Sequence, residues 1–255
     1  MKDRFKQGMF MTISAGIAWG FSGTCAVILF KNFGITPLYL SSMRMVFSGL
    51  ILTIASLLTN KENLISMLKD KRSVLELVLF ALFGLLFNQV SYLEAINNSN
   101  SGTATILQYI GPVFCMITEC ILIKRLPTKK EVGAIMLAMI GTFILATHGD
   151  IHRIYITPLG LMWGLFSAFA IVFYTFLPIR LIGKYGAIPV TGCAMLIGGA
   201  ITSTCSKAFL QPFNTNPKFI MLLVLIILLG TIVSYTLYLM GINRCGPVVA
   251  SMLAS

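Results

Sequence analysis

The chain has 255 residues, 57% of them hydrophobic and only 11% charged, with a formal net charge of +11. Soluble domains carry roughly 25% charged residues, so a water-exposed globule is excluded, and the absence of alternating hydrophobicity over segments of about ten residues excludes a membrane barrel. The positive charge does not point to nucleic acid, because the Lys and Arg residues sit in short loops and form no basic stripe interleaved with aromatics.

Apolar runs long enough to cross a hydrocarbon core of about 30 Å cover residues 8–30, 36–58, 74–96, 102–123, 130–147, 157–178, 188–210 and 218–240, and another starts at 246. The first is too long for a signal-peptide core and lacks a small-x-small cleavage site, so it reads as a retained span. The longest connection, 59–73, holds Lys61, Glu62, Lys69, Asp70, Lys71 and Arg72. With the N-terminus inside, fourteen Lys and Arg fall in inner segments and four (Lys31, Arg153, Lys207, Lys218) in outer ones, leaving Arg44 within a span. The positive-inside rule therefore predicts a cytoplasmic N-terminus. The last run stops at Ser255 after about ten residues, about 15 Å or half a bilayer. A truncated chain is expected, whose intact form continues through this span and one more.

The chain repeats itself. Gly16-Ile-Ala-Trp19-Gly20 returns as Gly160-Leu-Met-Trp163-Gly164, holding the only two tryptophans. The hairpin of the third and fourth spans, 88–127, is echoed near the other end, where Ile96-Asn97 aligns with Ile242-Asn243. The repeat unit is five spans. An odd number starts the second copy from the opposite side, so the expected fold is an all-α integral membrane protein of two inverted five-helix repeats. Ten spans are expected and about eight and a half are present. Residues 1–150 form the first repeat and 151–255 the second, incomplete one. Inverted repeats are common in secondary transporters, with the site near the midplane between them.

In these features the chain resembles the EamA family of the drug/metabolite transporter superfamily. The matching residues are Trp19-Gly20 and Trp163-Gly164, Arg44 following Leu40-Ser-Ser-Met43, and the Tyr92-Leu-Glu-Ala-Ile96 hairpin. Gly111-Pro112-Val-Phe114, the Gly133…Gly141 span and Gly246-Pro247-Val-Val-Ala-Ser251 also match. The chain departs at Lys124-Arg125-Leu126, where members often have an acidic residue first, and it stops before the usual Glu-Pro-Val of the second copy. The resemblance implies ten spans, a central cavity and transport of small metabolites, often the export of amino acids.

Arg44 is the sharpest candidate. It lies about 10 Å into the second span, where a central arginine is costly enough to demand a polar partner. It would bind a substrate carboxylate, or else be tied to carbonyls or to Glu94. Glu94 is the candidate proton-coupling carboxylate; Glu119 suits a pairing with the basic run after it. Tyr92, Gln108, Tyr109 and Tyr235 are candidate substrate contacts, because polar groups within spans must face protein or water. Trp19 and Trp163 are candidates for an aromatic cavity wall. Their GxxxG pairs read as packing surfaces, and Pro112 as a kink or a half-unwound stretch.

Other chemistries lack support. Gly20-Phe-Ser22-Gly23 looks like a nucleophile motif without a base, and His148-x3-His152 with Asp150 falls in a loop. Six cysteines lie in or beside apolar runs without a CxxC pair, and no GxxxxGK[ST] occurs. The expected protein is thus a plasma or inner membrane transporter of small polar or amphipathic metabolites such as amino acids, with no catalytic residue, cofactor or metal. A small-molecule substrate and the lipid bilayer are its partners, nucleic acid is not, and a homodimer is compatible with the sequence. The alternatives are an intramembrane enzyme or sensor and, within transport, a multidrug exporter.

Overall fold

The computed structural model describes residues 2–147 and 157–254, and its regular elements are all helical. The first two spans are α1 (Lys2–Phe33) and α2 (Pro37–Thr59), followed by a short α3 (Lys61–Lys69) inside the longest loop. The third span is α4 (Lys71–Leu79) and α5 (Phe87–Asn97) joined through a π-helical segment, Phe80–Leu86. The fourth is α6 (Ser101–Gln108) and α7 (Gly111–Leu122), and α8 (Lys129–Thr147) takes the place of the fifth. Beyond it come α9 (Pro158–Phe176) with α10 (Ile179–Tyr185), and then α11 (Ala187–Ser206). The eighth span is α12 (Pro217–Ile227) and α13 (Ser234–Cys245), again joined through a π-helical segment, Leu228–Val233, and α14 (Pro247–Leu253) opens the last run. Seven of these stretches are long and apolar enough to cross a membrane. His148, Asp150, His152, Arg153 and Ser255 lie outside the described residues.

Local sequence explains where the helices start. Thr36 and Thr157 each cap a helix whose first residue is proline, accepting from the Tyr39 and Gly160 amides; proline has no N–H to leave unsatisfied there. Thr128 and Glu131 form a reciprocal capping box at the start of α8. Arg125 bridges Glu131 and Glu119, which closes the α7–α8 corner. Pro112 cannot donate to the Gln108 carbonyl one turn back, and the fourth span breaks there at Tyr109 and Ile110.

Burial is inverted relative to a soluble helix. On α2, Ser41, Ser42, Arg44, Ser48 and Ser56 are buried while Leu50, Ile54 and Leu58 are exposed, as a lipid-facing apolar surface requires. Spans meet through small residues, which let backbones approach closely. A Cβ on Gly49 would lie 2.8 Å from the Leu196 amide nitrogen, and one on Gly199 would lie 2.9 Å from that of Val46. The contact is reciprocal. Leu196 stands three residues before Gly199, as Val46 stands three before Gly49. The GxxxG expectation needs one correction: Gly16, Gly160 and Gly164 are packed, but Gly20 meets no neighbour and borders the central cavity instead. Likewise Cys205 is exposed, whereas the other five cysteines are buried.

The third and eighth spans share an irregularity. Gly84 and Gly230 lie within the two π segments, separated by the same interval as Ile96 and Ile242. A Cβ on Gly230 would collide with the Ser22 side chain, so this glycine permits the close approach of the eighth span to α1.

At the basic end of the bundle, an ion-pair network ties the α3–α4 corner to α10. Asp70 accepts from Ser73 (2.8 Å), Tyr185 (3.2 Å) and Lys184 (3.3 Å), and Arg180 reaches Glu76 at 2.8 Å. The Ser73 hydroxyl, with Lys184 beside it, holds the Asp70 carboxyl well below the usual carboxylate range. A depressed carboxylate stabilises the fold above its unfolded value of about 3.9, and that contribution disappears as pH falls through the lower folded value. Asp70→Asn is therefore expected to lower thermal stability in detergent by a constant amount between pH 5 and 7, with the difference shrinking below about pH 4. A difference that persists unchanged into acid contradicts this.

Candidate functional site

Partway along the bundle, eight helices surround a cavity of about 110 Å³. The π segment of the eighth span supplies its key anchor. In a π turn the bonding pattern shifts from i−4 to i−5, and the Thr231 hydroxyl follows it, donating to the Ile226 carbonyl at 3.0 Å. The Gly230 carbonyl is then bonded from the side. Arg44 Nη2 donates to it at 3.0 Å, Arg44 Nε donates to the Thr231 hydroxyl at 3.0 Å, and Ser234 donates to the same Gly230 carbonyl at 2.8 Å. One turn along α2, Ser48 reaches the Ile227 carbonyl at 3.4 Å.

Arg44 is only 4% exposed and borders the cavity. A guanidinium carries five N–H donors; two are used, leaving three. Its partners are a carbonyl and a hydroxyl, both uncharged. Among the described residues, none of those around the cavity is Asp or Glu.

An aromatic group forms one wall. Trp19 packs edge-on to Tyr235 with ring centres 5.3 Å apart, and Tyr174 stacks on Tyr238 at 5.3 Å. Tyr235 donates to Gln89 Oε1 at 3.0 Å and Tyr238 pairs with Thr175 at 3.0 Å. In the alignment that matches Ile96 to Ile242, Gln89 and Tyr235 are equivalent positions, and they touch. Around the wall, Trp19 Nε1, Ser22 Oγ, Gln89 Nε2, Asn88 Oδ1 and the Tyr174 hydroxyl are buried without a protein partner. Native interiors leave few such groups. Most of these can donate, so together with Arg44 they make a donor-rich site.

Of the residues expected from sequence, Arg44, Trp19, Tyr92, Gln108, Tyr109 and Tyr235 all border the cavity. Gln108 donates to Ser167 at 2.7 Å and Tyr92 pairs with Thr105 at 3.3 Å, while Tyr109 sits at the break in the fourth span. Two expected residues do not join them. Trp163 shares a helix face with Tyr174 but lies eleven residues nearer the start of α9, about 16 Å along the axis, where its ring meets Phe166 edge-on. Glu94 is two residues past Tyr92 and so about 200° round the helix. It is half-buried and accepts from Asn98 at 3.2 Å. Arg44 does not pair with it.

Sequence reasoning missed Tyr174, hidden in an almost wholly apolar run; its tandem with Thr175 was the only signal. Ser22 was seen only as part of a protease-like motif. The histidines needed for that motif fall outside the described residues, and Ser22 instead borders the cavity with its hydroxyl unpaired. Among the described residues no cluster of three or more His, Cys, Asp or Glu could hold a metal.

A polytopic helical membrane protein with a central cavity lined by polar and aromatic side chains is the class that this fold and site define. Residues 6–147 match the model of the EamA-like transporter family. A Salmonella typhimurium (strain LT2) protein described as "Uncharacterized inner membrane transporter YicL" is 33% identical over 249 residues, 98% of this chain and 83% of that protein. The chain belongs to the EamA-like transporter family and is a membrane transporter. A crystal structure with 16% sequence identity superposes with a TM-score of 0.74 over 98% of this chain and 83% of that one, which bears on the fold alone.

Trp19 borders the cavity and Trp163 does not, so indole emission reports occupancy. A carboxylate with an aromatic body, such as N-acetylphenylalanine, is expected to quench emission saturably in Trp163→Phe but not in Trp19→Phe. The reverse pattern contradicts the assignment of the cavity.

Proposed function

We propose that the protein is a secondary transporter of the inner membrane that carries small amphipathic molecules bearing a carboxylate, amino acids and their derivatives among them. The observation that carries this reading is Arg44, a buried guanidinium with uncharged partners and free N–H donors, bordering a cavity that no acid lines among the described residues. A carboxylate can take two parallel N–H bonds from such a fork. The aromatic wall gives the apolar body of the ligand a surface.

Carriage proceeds by alternating access between two inverted five-helix halves, residues 1–150 and 151–255. Three observations support that division: the reciprocal contacts of α2 with α11, the bond between the equivalent positions Gln89 and Tyr235, and the paired π segments. The excess of Lys and Arg in the predicted inner segments supports a cytoplasmic N-terminus, and export is the direction that the family resemblance implies. The inner membrane follows the description of the Salmonella relative. Glu94 faces away from the cavity, so a proton-coupling role for it is not part of the proposal. Membership of a transporter family favours carriage over an intramembrane enzyme or a sensor.

Counterflow in proteoliposomes tests the reading with labelled phenylalanine, N-acetylphenylalanine and phenethylamine, an amine without a carboxylate. The two carboxylates are expected to exchange saturably and the amine not. Hydrogen bonds to charged groups contribute about 1.5–3 kcal/mol, so Arg44→Gln, if still folded, should lower exchange about tenfold or more. Trp163→Phe should leave it unchanged. Exchange of the amine at the rate of the acids, or full activity in folded Arg44→Gln, sinks the proposal.

A further inference from the structure

We infer that Thr231 is a positioning residue: acting through Arg44, its hydroxyl fixes the direction in which the guanidinium is presented to the carried carboxylate. The inference rests on the reading of Arg44 as the carboxylate's contact, and deepens it by naming the residue of the eighth span that sets the specificity.

Nothing in α2 alone aims the Arg44 head group. The side chain is long and rich in rotamers, and it crosses to the eighth span for its bonds. A single hydrogen bond would leave the guanidinium free to swing about that bond. Two bonds from one edge of a planar group fix its direction and its tilt together. Arg44 makes two, from Nε to Thr231 Oγ1 and from Nη2 to the Gly230 carbonyl, each 3.0 Å. A bidentate pair with a carboxylate demands that alignment, because two parallel N–H bonds must meet two oxygens in one plane.

Of the two partners, Thr231 is the one that a side chain decides. The Gly230 carbonyl is backbone, and Ser234 also donates to it, at 2.8 Å. Thr231 is wholly buried, and a hydroxyl has one proton and two lone pairs. The proton is committed to the Ile226 carbonyl at 3.0 Å, so the oxygen meets Nε as an acceptor. The β-branched carbon restricts χ1, which passes the direction of the eighth span on to the guanidinium. The spacing of the two spans has other supports. Ser48 reaches the Ile227 carbonyl at 3.4 Å, and the bond to the Gly230 carbonyl does not use the hydroxyl. Removing the hydroxyl therefore loosens the aim of Arg44 more than its place.

The test measures binding of N-acetylphenylalanine and of its uncharged carboxamide to the purified protein in detergent, by Trp19 quenching in the Trp163→Phe background. Thr231→Val and Thr231→Ala remove the hydroxyl at two side-chain sizes, and Thr231→Ser keeps it. Both hydroxyl-free variants are expected to weaken carboxylate binding about tenfold and to leave carboxamide binding nearly unchanged, while Thr231→Ser keeps the native preference. An unchanged preference in a folded hydroxyl-free variant overturns the inference and leaves the carboxylate reading standing. So does an equal loss for both ligands, or a Thr231→Ser that behaves like Thr231→Val, since packing would then carry the effect. Failure of both hydroxyl-free variants to fold makes the hydroxyl a support of the fold and overturns the inference too. A native protein that binds acid and carboxamide alike overturns the carboxylate reading itself, and the inference with it.

Discussion

The bond from Arg44 to the Gly230 carbonyl joins every level of this structure. An arginine within a span must find partners, because lipid offers none. The Gly230 carbonyl, within a π segment, accepts from side chains. The two meet across the second and eighth spans. The glycine that supplies the carbonyl also lets the eighth span approach Ser22 of α1, so the same residue sets the helix spacing and the polarity of the cavity. Because the bond uses one edge of the guanidinium, the other edge is left for a ligand. An arginine held by a carboxylate would be equally stable but already neutralised.

The arrangement around this bond follows from small residues. Gly49 and Gly199 bring α2 against α11 through matching contacts, and that closeness carries Arg44 into the bundle rather than towards lipid. Such contacts between equivalent positions arise on a pseudo-twofold axis, which is how the proposed inverted repeat would generate them. The Gln89–Tyr235 bond, at the cavity, would lie on the same proposed axis. Symmetry and chemistry nevertheless part company at Arg44, because the position it would match in α11 is not basic in this chain's described residues.

Much of this was legible in the sequence. Seven of the eight full spans expected from hydropathy are matched by helices long and apolar enough to cross a membrane, because lipid imposes one rule on every residue of a span. Arg44, Trp19 and the polar residues of the third and fourth spans were identifiable for the same reason, being expensive anywhere else. What sequence missed was depth and angle. Trp163 repeats the motif of Trp19, yet it sits eleven residues from Tyr174 and so above the cavity rather than in it. Glu94 lies in the right span but on the wrong face. The π segments were hidden because a shift of one hydrogen bond leaves hydropathy unchanged; only the matched spacing of Gly84 and Gly230 hinted at them. The short α3 was read as loop because its nine residues carry too many charges for a span.

The central claim, that a carboxylate sits on the free edge of Arg44, is tested most directly by changing both partners. The affinities of N-acetylphenylalanine and of its uncharged carboxamide would be measured by Trp19 quenching, in the native protein and in Arg44→Gln. Such a cycle isolates the pairwise interaction from general effects of the substitution. The account predicts that the native protein prefers the carboxylate by tenfold or more and that the preference vanishes in Arg44→Gln. An equal preference in both proteins would mean that the carboxylate is held elsewhere, and would contradict the account.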